Sequence, residues 1–396
     1  MLNRFRLFPS TSAITVRPRL ACEITVQGVI AARQESDLDS AAITAFTSLR
    51  PGALMPGLAA PNMPDRAPIV SAMRQALEEV AGRGRQLSLI IPDLAARVLL
   101  LDFDTLPERA ADALPILRFR LRKLLPFEVD DAAISYQILH QDSQQVRTVV
   151  AVTPRPVLNE YETAVREAGY LPGAVLPSTL ACLAVVPASD NALVVSCSSA
   201  SVTSAITRGN ELLLYRTLDL PRAEQERALE LQQVVTVAMA YFEDSMAAPP
   251  DALLYVGPGG ASELSRILND DSVNGASSHG NSTYGHSYAS AANDDEPPSY
   301  RQAAGDPVEL DSLNSGSLDP GSLDPGSLDR GRYDPGRYDA GEYEAGSPVT
   351  GGVLDGPSGV TRTTIQVRDL VPIASTGAAT SMPPGLLAGV VGALAN

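Results

Sequence analysis

The chain has 396 residues, more than one hydrophobic core usually serves, which sets an expectation of two or three domains. Its formal charge is −16, which argues against nucleic acid or an anionic lipid surface as the main partner. The acidity is unevenly spread: between Asp270 and Glu344 fifteen Asp and Glu stand against four Arg, a net of −11, so the rest of the chain carries only −5.

Scarce residue types exclude further chemistry. Lys123 is the only lysine and lies in LRKLLPF with no glycine-rich loop before it, which excludes a P-loop nucleotidase. A pyridoxal phosphate enzyme or Schiff-base aldolase would have to rely on that same residue. His279 and His286 fall in a stretch that reads as disordered, leaving His140, so a His-based triad or His-rich metal site lacks its components. Cys22, Cys182 and Cys197 are far apart, odd in number and without CxxC spacing, as expected of small core residues in a reducing cytosol. No metal site and no catalytic residue is expected.

The opening MLNRFRLFPS has no apolar run of signal-peptide length behind it, so export is not expected. Leu20 to Ala32 predicts a hairpin: a strand to about Val26, a two-residue turn at Gln27-Gly28, then a return strand. Pro51 to Arg66 reads as a loop, and Ala67 to Gly82 as a helix with Ile69, Met73, Leu77 and Val80 on its apolar side. LSLIIPD (Leu87 to Asp93) and RVLLLDF (Arg97 to Phe103) predict two strands, both central. Pro107 to Leu125 turns helical, with Leu114, Leu117, Leu121 and Leu124 on one stripe and Pro115 either starting or kinking the helix. For Arg118, Arg120, Arg122 and Lys123 the plainer reading is a solvated helix face, and the sharper one a contact with an acidic partner or lipid headgroup. Nucleic-acid binding lacks the interleaved aromatics it needs. Asp130 to Gln141 and Val146 to Val152 alternate as two strands, and Pro156 to Ala168 is an amphipathic helix on Leu158, Tyr161 and Val165, closed by Gly169.

A second half begins at Asn191, where ALVVSCSS, SVTSAIT and ELLLYRTLDL predict a three-stranded meander. After Pro221 a long helix to about Ala247 is expected to carry Leu229, Val234, Val237 and Tyr241 inward. DALLYVG, the turn Gly257 to Gly260, and ASELSRIL then form a strand-turn-helix unit. From Asn269 to Gly359 Ser, Gly, Asp, Pro and Tyr dominate, and from Gly316 to Ala345 six pentapeptides run GSLDP, GSLDP, GSLDR, GRYDP, GRYDA, GEYEA. One apolar residue per unit cannot offset the entropy of ordering, so the stretch reads as a low-complexity acidic spacer, with a Leu/Tyr-Asp interaction tract as the alternative. Thr361 to Val371 predicts a strand and Leu386 to Ala395 a docked terminal helix, well short of the roughly 20 residues of a membrane span.

This order resembles an α/β class fold: a duplicated actin-like (ribonuclease-H-like) fold with an inserted small α+β subdomain and a long disordered acidic insertion. The first lobe is expected over residues 1–85 and 156–190, the inserted subdomain over 86–155, the second lobe over 191–268, the spacer over 269–359, and the C-terminal strand and helix over 360–396. The stretches IPDLAARVLLLDFDTLP, LRKLLPFEVDDAAISYQIL, VVAVTPRPVLNEYETAVREAGYLPGAVLPSTLA and ELQQVVTVAMAYFEDSM carry a closer resemblance, to the PilM family of type IV pilus assembly proteins, over about Leu20 to Leu268 and the C-terminal end.

The resemblance implies ATP with Mg²⁺ between the lobes, held by one loop from each lobe and a third Gly-rich turn. Where the family shows Asp-x-Gly-Ser, this chain has Glu23-Ile24-Thr25-Val26; where it shows VDIG, it has Val195-Ser196-Cys197-Ser198, with no carboxylate from Asn191 to Thr207. Gly257, Gly259 and Gly260 keep the third turn in outline. The degenerate nucleotide site implied is thus Glu23, Thr25, Ser196, Ser198, Ser199, Gly257, Gly259 and Gly260, with weak or absent binding and no efficient hydrolysis expected. The resemblance further implies a cytoplasmic scaffold at the inner face of the bacterial inner membrane. It would bind the tail of a PilN-like bitopic protein and, indirectly, a PilO-like protein and the pilus motor ATPases, with self-association a further expectation. Candidate tail-binding residues are Arg97, Leu99, Leu101, Leu124, Leu125 and Phe127. The alternatives are an active ATPase or small-molecule kinase of the same fold, and a related type II secretion or cell-division scaffold.

Overall fold

The computed structural model describes residues 18–34, 42–80, 82–269, 366–371 and 385–395, all in one unit formed by Met1–Gly280 and Arg362–Asn396. The expected spacer and its pentapeptides lie outside the described residues. Three strands open the chain, β1 (Leu20–Ile24), β2 (Gly28–Arg33) and β3 (Ile43–Ser48), each antiparallel to the last. Helix α1 (Ala67–Glu79) carries the chain across so that β4 (Gln86–Ile91) lies parallel to β1.

A 3₁₀ turn, Asp93–Ala95, leads into the inserted unit: β5 (Arg97–Phe103), α2 (Ala110–Leu121), β6 (Ala132–Gln141) and β7 (Val146–Pro154), whose three strands form a separate sheet in the order β5-β7-β6. Helix α3 (Arg155–Glu167) and β8 (Leu171–Pro177) return to the first sheet, completing the order β3-β2-β1-β4-β8, and α4 (Ser178–Cys182) leaves it. Gly169 (φ +93) ends α3 in a left-handed cap, with Tyr170 N–H reaching back to Val165 O at 3.1 Å.

The second half repeats the plan. β9 (Asn191–Cys197), β10 (Ser201–Arg208) and β11 (Glu211–Asp219) form the meander, and α5 (Glu224–Met246) crosses to β12 (Ala252–Val256), which lies parallel to β9. After α6 (Gly260–Leu268), β13 (Val367–Asp369) adds parallel to β12, giving the order β11-β10-β9-β12-β13, and α7 (Ala388–Leu394) ends the described chain. Among the described residues no helix is long and apolar enough to cross a membrane.

Both faces of the first sheet are buried, which is why its central strands read as apolar runs rather than alternations. Along β1, Leu20, Cys22 and Ile24 face α1 and α3, meeting Met73, Leu77 and Tyr161, while Ala21 faces α4 and α7, meeting Ala181 and Val390. Helix α7 follows a strand of the second sheet yet packs under the first, so it ties the lobes together. It gets close enough only through glycine: a Cβ on Gly392 would lie 2.0 Å from Ala181 O, and one on Gly389 2.2 Å from Glu23 Oε2.

Several sequence expectations are corrected. The first turn spans Thr25 to Gly28, because Thr25 N–H bonds Gly28 O at 2.9 Å and β2 starts at Gly28. Gln86–Ile91 sits in the middle of the first sheet, so the inserted unit begins at Arg97 rather than at residue 86, and β5 is an edge strand, not a central one. Apolar content gives a strand's burial but not the sheet it joins. Helix α2 ends at Leu121, four residues early, which leaves Leu124 off its buried stripe. In α5 only Val234 of the four expected inward residues is buried; Leu229, Val237 and Tyr241 are 40%, 49% and 45% exposed, and Leu231, Val235, Ala238 and Phe242 form the inward stripe.

Gly392→Ala should force α7 away from α4 and lower unfolding free energy by about 1–3 kcal/mol, measured by urea titration. An unchanged midpoint would contradict this close crossing.

Candidate functional site: the interlobe cleft

The C-terminal ends of β1, β4, β9 and β12 converge on a cleft between the lobes, where open α/β sheets place ligands. Glu23, Thr25, Asp93, Ser178, Ser196, Ser198 and Gly257 line it, Leu386 closes one side, and it holds about 610 Å³ including open solvent. Sequence reasoning named Glu23, Thr25, Ser196, Ser198 and Gly257 of this group. It missed Asp93, although an acid directly after the last apolar residues of a parallel strand is a usable signal.

Asp93 is the most heavily bonded group of the cleft. Its Oδ1 accepts from Thr179 N–H at 3.0 Å and Tyr215 O–H at 3.1 Å; its Oδ2 accepts from the Thr179 hydroxyl and from Thr203 O–H at 3.0 Å. Thr179 belongs to α4 of the first lobe, Thr203 and Tyr215 to β10 and β11 of the second. Burial raises the Asp93 pKa and the hydroxyl and amide donors pull it back. Glu23, 4% exposed, accepts from Ser178 O–H at 2.5 Å and lies beneath α7. Burial pushes its pKa up to about 7, against an ordinary 4.5; nearby Asp93 adds to the rise and the Ser178 hydroxyl opposes it.

In the two expected phosphate loops the Thr25 and Ser198 hydroxyls bond within their own turns. Thr25 O–H donates to Gly28 O at 2.9 Å and its oxygen accepts Gly28 N–H at 3.1 Å, closing the β1–β2 turn. At the matching place in the second lobe Ser198 Oγ accepts the N–H groups of Ala200 and Ser201 at 3.2 and 3.0 Å, closing the β9–β10 turn. Ser199 is exposed at the tip of that turn, and Ser196 is buried at the end of β9.

The third turn is also engaged. Gly259 and Gly260 take φ of +79 and +65 to start α6, and one amide of its first turn meets a carboxylate of this chain: Ala261 N–H donates to Asp369 Oδ1 at 2.7 Å. Gly257 N–H donates to Gly385 O at 3.1 Å, just ahead of α7.

A triphosphate with Mg²⁺ needs free N–H and hydroxyl donors and an acid free to hold the cation's waters. Here the turn hydroxyls are internally bonded, Asp369 occupies the start of α6, four donors fill Asp93, and no Lys, Arg or His lines the cleft among the described residues. Those engaged groups are not offered to a triphosphate.

The expected tail-binding residues fall mostly inside the inserted unit. Leu101 is buried, and Leu99, Leu125 and Phe127 pack on the core formed by Leu117, Leu121 and Val150. Arg97 is half-buried at the start of β5, and Leu124 is 48% exposed. Of the α2 cations, Arg118 donates to the carbonyls of Val129, Asp130 and Ala132, and Arg122 pairs with Asp130 at 2.7 Å, so neither is a simply solvated charge.

No family model and no curated protein matches the sequence. Among solved structures, one described as the PilM-PilN type IV pilus biogenesis complex is 19% identical, with a TM-score of 0.54, over 63% of this chain and 87% of that one. The cytoplasmic domain of EpsL, an inner-membrane component of the type II secretion system of Vibrio cholerae, is 12% identical over 60% and 82%, with a TM-score of 0.40. A Bacteroides thetaiotaomicron protein with an actin-like ATPase fold and unknown function is 8% identical over 65% and 90%, with a TM-score of 0.39. At these identities the likeness is one of fold: the chain has the actin-like ATPase fold, with two matching lobes, as its element order leads one to expect.

The raised carboxyl of Glu23 makes folding favour its protonated form. Its contribution is complete below about pH 4.5 and is lost as pH rises through 7. Glu23→Gln, which mimics the neutral acid, should match the parent near pH 5 and exceed it in stability at pH 8 by up to about 3 kcal/mol; equal pH profiles would contradict the assignment. Asp93→Ala strands donors from both lobes and should cost about 2–4 kcal/mol in a denaturant melt, whereas a loss below about 0.5 kcal/mol, the range of ordinary surface substitutions, would contradict the bonding described.

Proposed function

We propose that this chain is a PilM-like scaffold of a type IV pilus assembly platform, working at the cytoplasmic face of the bacterial inner membrane and without efficient ATP hydrolysis. The observation that carries the proposal is the fold likeness to the PilM-PilN structure over 87% of that chain. It is supported by the cleft, where Thr25, Ser198 and the Ala261 amide are bonded within the protein. Shape is then the working property: two lobes held in one arrangement and an inserted sheet offering a surface to a partner.

The partner proposed is the short N-terminal tail of a PilN-like bitopic protein, which would link this chain indirectly to a PilO-like protein and to the motor ATPases. β5, which starts with Arg97, is an edge strand of its sheet, and Leu124 is exposed on the same unit. An edge strand accepts an extended peptide by main-chain pairing, with side-chain pockets supplying selectivity.

Two titrations of the full chain test the proposal. A synthetic peptide of the N-terminal tail of a PilN-like bitopic protein should bind saturably in isothermal titration, and ATP with Mg²⁺ should give no saturable heat. Failure of the peptide to bind would overturn the scaffold reading; tight stoichiometric ATP binding with turnover would support an active ATPase of the same fold.

A further inference from the structure

Helix α2 is covered on one side only. Ala113, Leu117 and Leu121 are buried, the last two against Leu101 and Val150 of the inserted sheet. The other face of that sheet, with Val98, Leu100 and Val149, packs on the second lobe at Ala205 and Leu212. The outer side of α2 therefore points away from the body of the molecule. Ile116 and Phe119 stand on it and Leu124 on the turn that follows, 40%, 65% and 48% exposed.

The charges on this face are sorted along it. Three- and four-residue spacing puts Arg120 and Lys123 beside Ile116 and Phe119, and Lys123 Nζ lies 5.8 Å from the Phe119 ring. Both cations are exposed, and neither is in an ion pair among the described residues. The neighbouring cations are spent elsewhere: Arg118 on the carbonyls of Val129, Asp130 and Ala132, and Arg122 on Asp130 and Glu128. The one acid of α2, Asp112, stands in its first turn. It is about 16 Å along the axis from Lys123, or about two screening lengths at physiological salt.

An exposed aromatic and an aliphatic side chain, with cations free of carboxylates one turn away on a convex helix face, are the make-up of an interfacial helix. Its apolar side chains enter the boundary between headgroups and acyl chains, and its long basic side chains lay their stems beside them and leave their charge at the phosphates. We infer that the outer face of α2 is a membrane-contact surface, with Ile116 and Phe119 inserted at the headgroup boundary of an anionic phospholipid bilayer and Arg120 and Lys123 on its phosphates. Of the net charge of −16, −11 falls between Asp270 and Glu344, so the rest of the chain carries only −5 and repels such a surface weakly. Two cations at about fivefold each make the contact weak and reversible. The inference rests on the scaffold reading for its position: β5, proposed to take the tail of a bitopic protein, belongs to the same unit, and a short tail keeps its binding surface close to the bilayer from which it emerges.

Flotation of the full chain with vesicles tests this, comparing phosphatidylcholine alone with an equimolar mixture of phosphatidylcholine and phosphatidylglycerol, at low and high salt. The parent should float with the anionic vesicles and not with the neutral ones, and less at high salt. Phe119→Asp, and Arg120→Glu combined with Lys123→Glu, are at exposed positions and are checked for folding by circular dichroism; each should weaken binding at least about tenfold. Val237→Asp, in a groove between α5 and β11, should bind as the parent does. The chain has no tryptophan, so Phe119→Trp reports its own surroundings, and its emission should shift to the blue only with anionic vesicles. The inference is overturned if the parent does not bind, if it binds neutral vesicles equally, if Val237→Asp loses as much as Phe119→Asp, or if the emission does not shift. It is also overturned if, without lipid, the parent grows in mass with concentration and Phe119→Asp abolishes that growth, which would assign the face to a second copy. No peptide is present in these mixtures, so their outcome is separate from that of the tail titration.

Discussion

A buried carboxylate with donors from two lobes organises this molecule. Removing Asp93 from water opposes its charge, and the opposition is met by an amide and three hydroxyls arriving from α4, β10 and β11. Those donors are useful only while the lobes stand in one relation, so the stability of the charge and the arrangement of the lobes are a single quantity. A low dielectric strengthens the bonds and raises the cost of losing any one of them. The cleft of an actin-like fold is a place where movement between lobes would be expected; here its base is a shared polar knot.

The C-terminal helix works on the same junction by packing. α7 reaches the underside of the first sheet from the second lobe, with Gly389 over Glu23 and Gly392 over Ala181. Glu23 thus sits between a hydroxyl of α4 and the backbone of α7, where burial favours its neutral form. Polar bonding at Asp93 and close packing at α7 hold the lobes from two sides.

Much of the fold is legible in the sequence because its periodicities are clean. Apolar runs gave β1, β4, β9 and β12 their place as buried strands, Gly169 marked the end of α3, and the repeated order of elements carried the duplication. Other features were hidden for physical reasons. Arg97–Phe103 is as apolar as Gln86–Ile91, yet one is an edge strand of a small sheet and the other central in a large one, a difference that strand composition does not encode. α5 is apolar around more than one face, so its pattern could not say that Val237 and Tyr241 would line an open groove while Leu231 and Phe242 went inside. In the cleft, Thr25 and Ser198 were visible as hydroxyls at the right places, but their use in closing their own turns depends on geometry. Asp93 and Asp369 each look like an ordinary acid beside a strand until the partners from distant segments are in place.

The central claim is that Thr25, Ser198, Thr179 and Ala261 spend their cleft-side donors within the protein. Hydrogen exchange followed by mass spectrometry reads this directly at the segments containing Thr25–Gly28, Ser198–Ser201, Thr179 and Ala261. The account predicts that the amides of Thr179 and Ala261 exchange slowly in the protein alone and that saturating ATP with Mg²⁺ leaves all four segments unchanged. A marked gain in protection of the two turns and the start of α6 on adding nucleotide would contradict it.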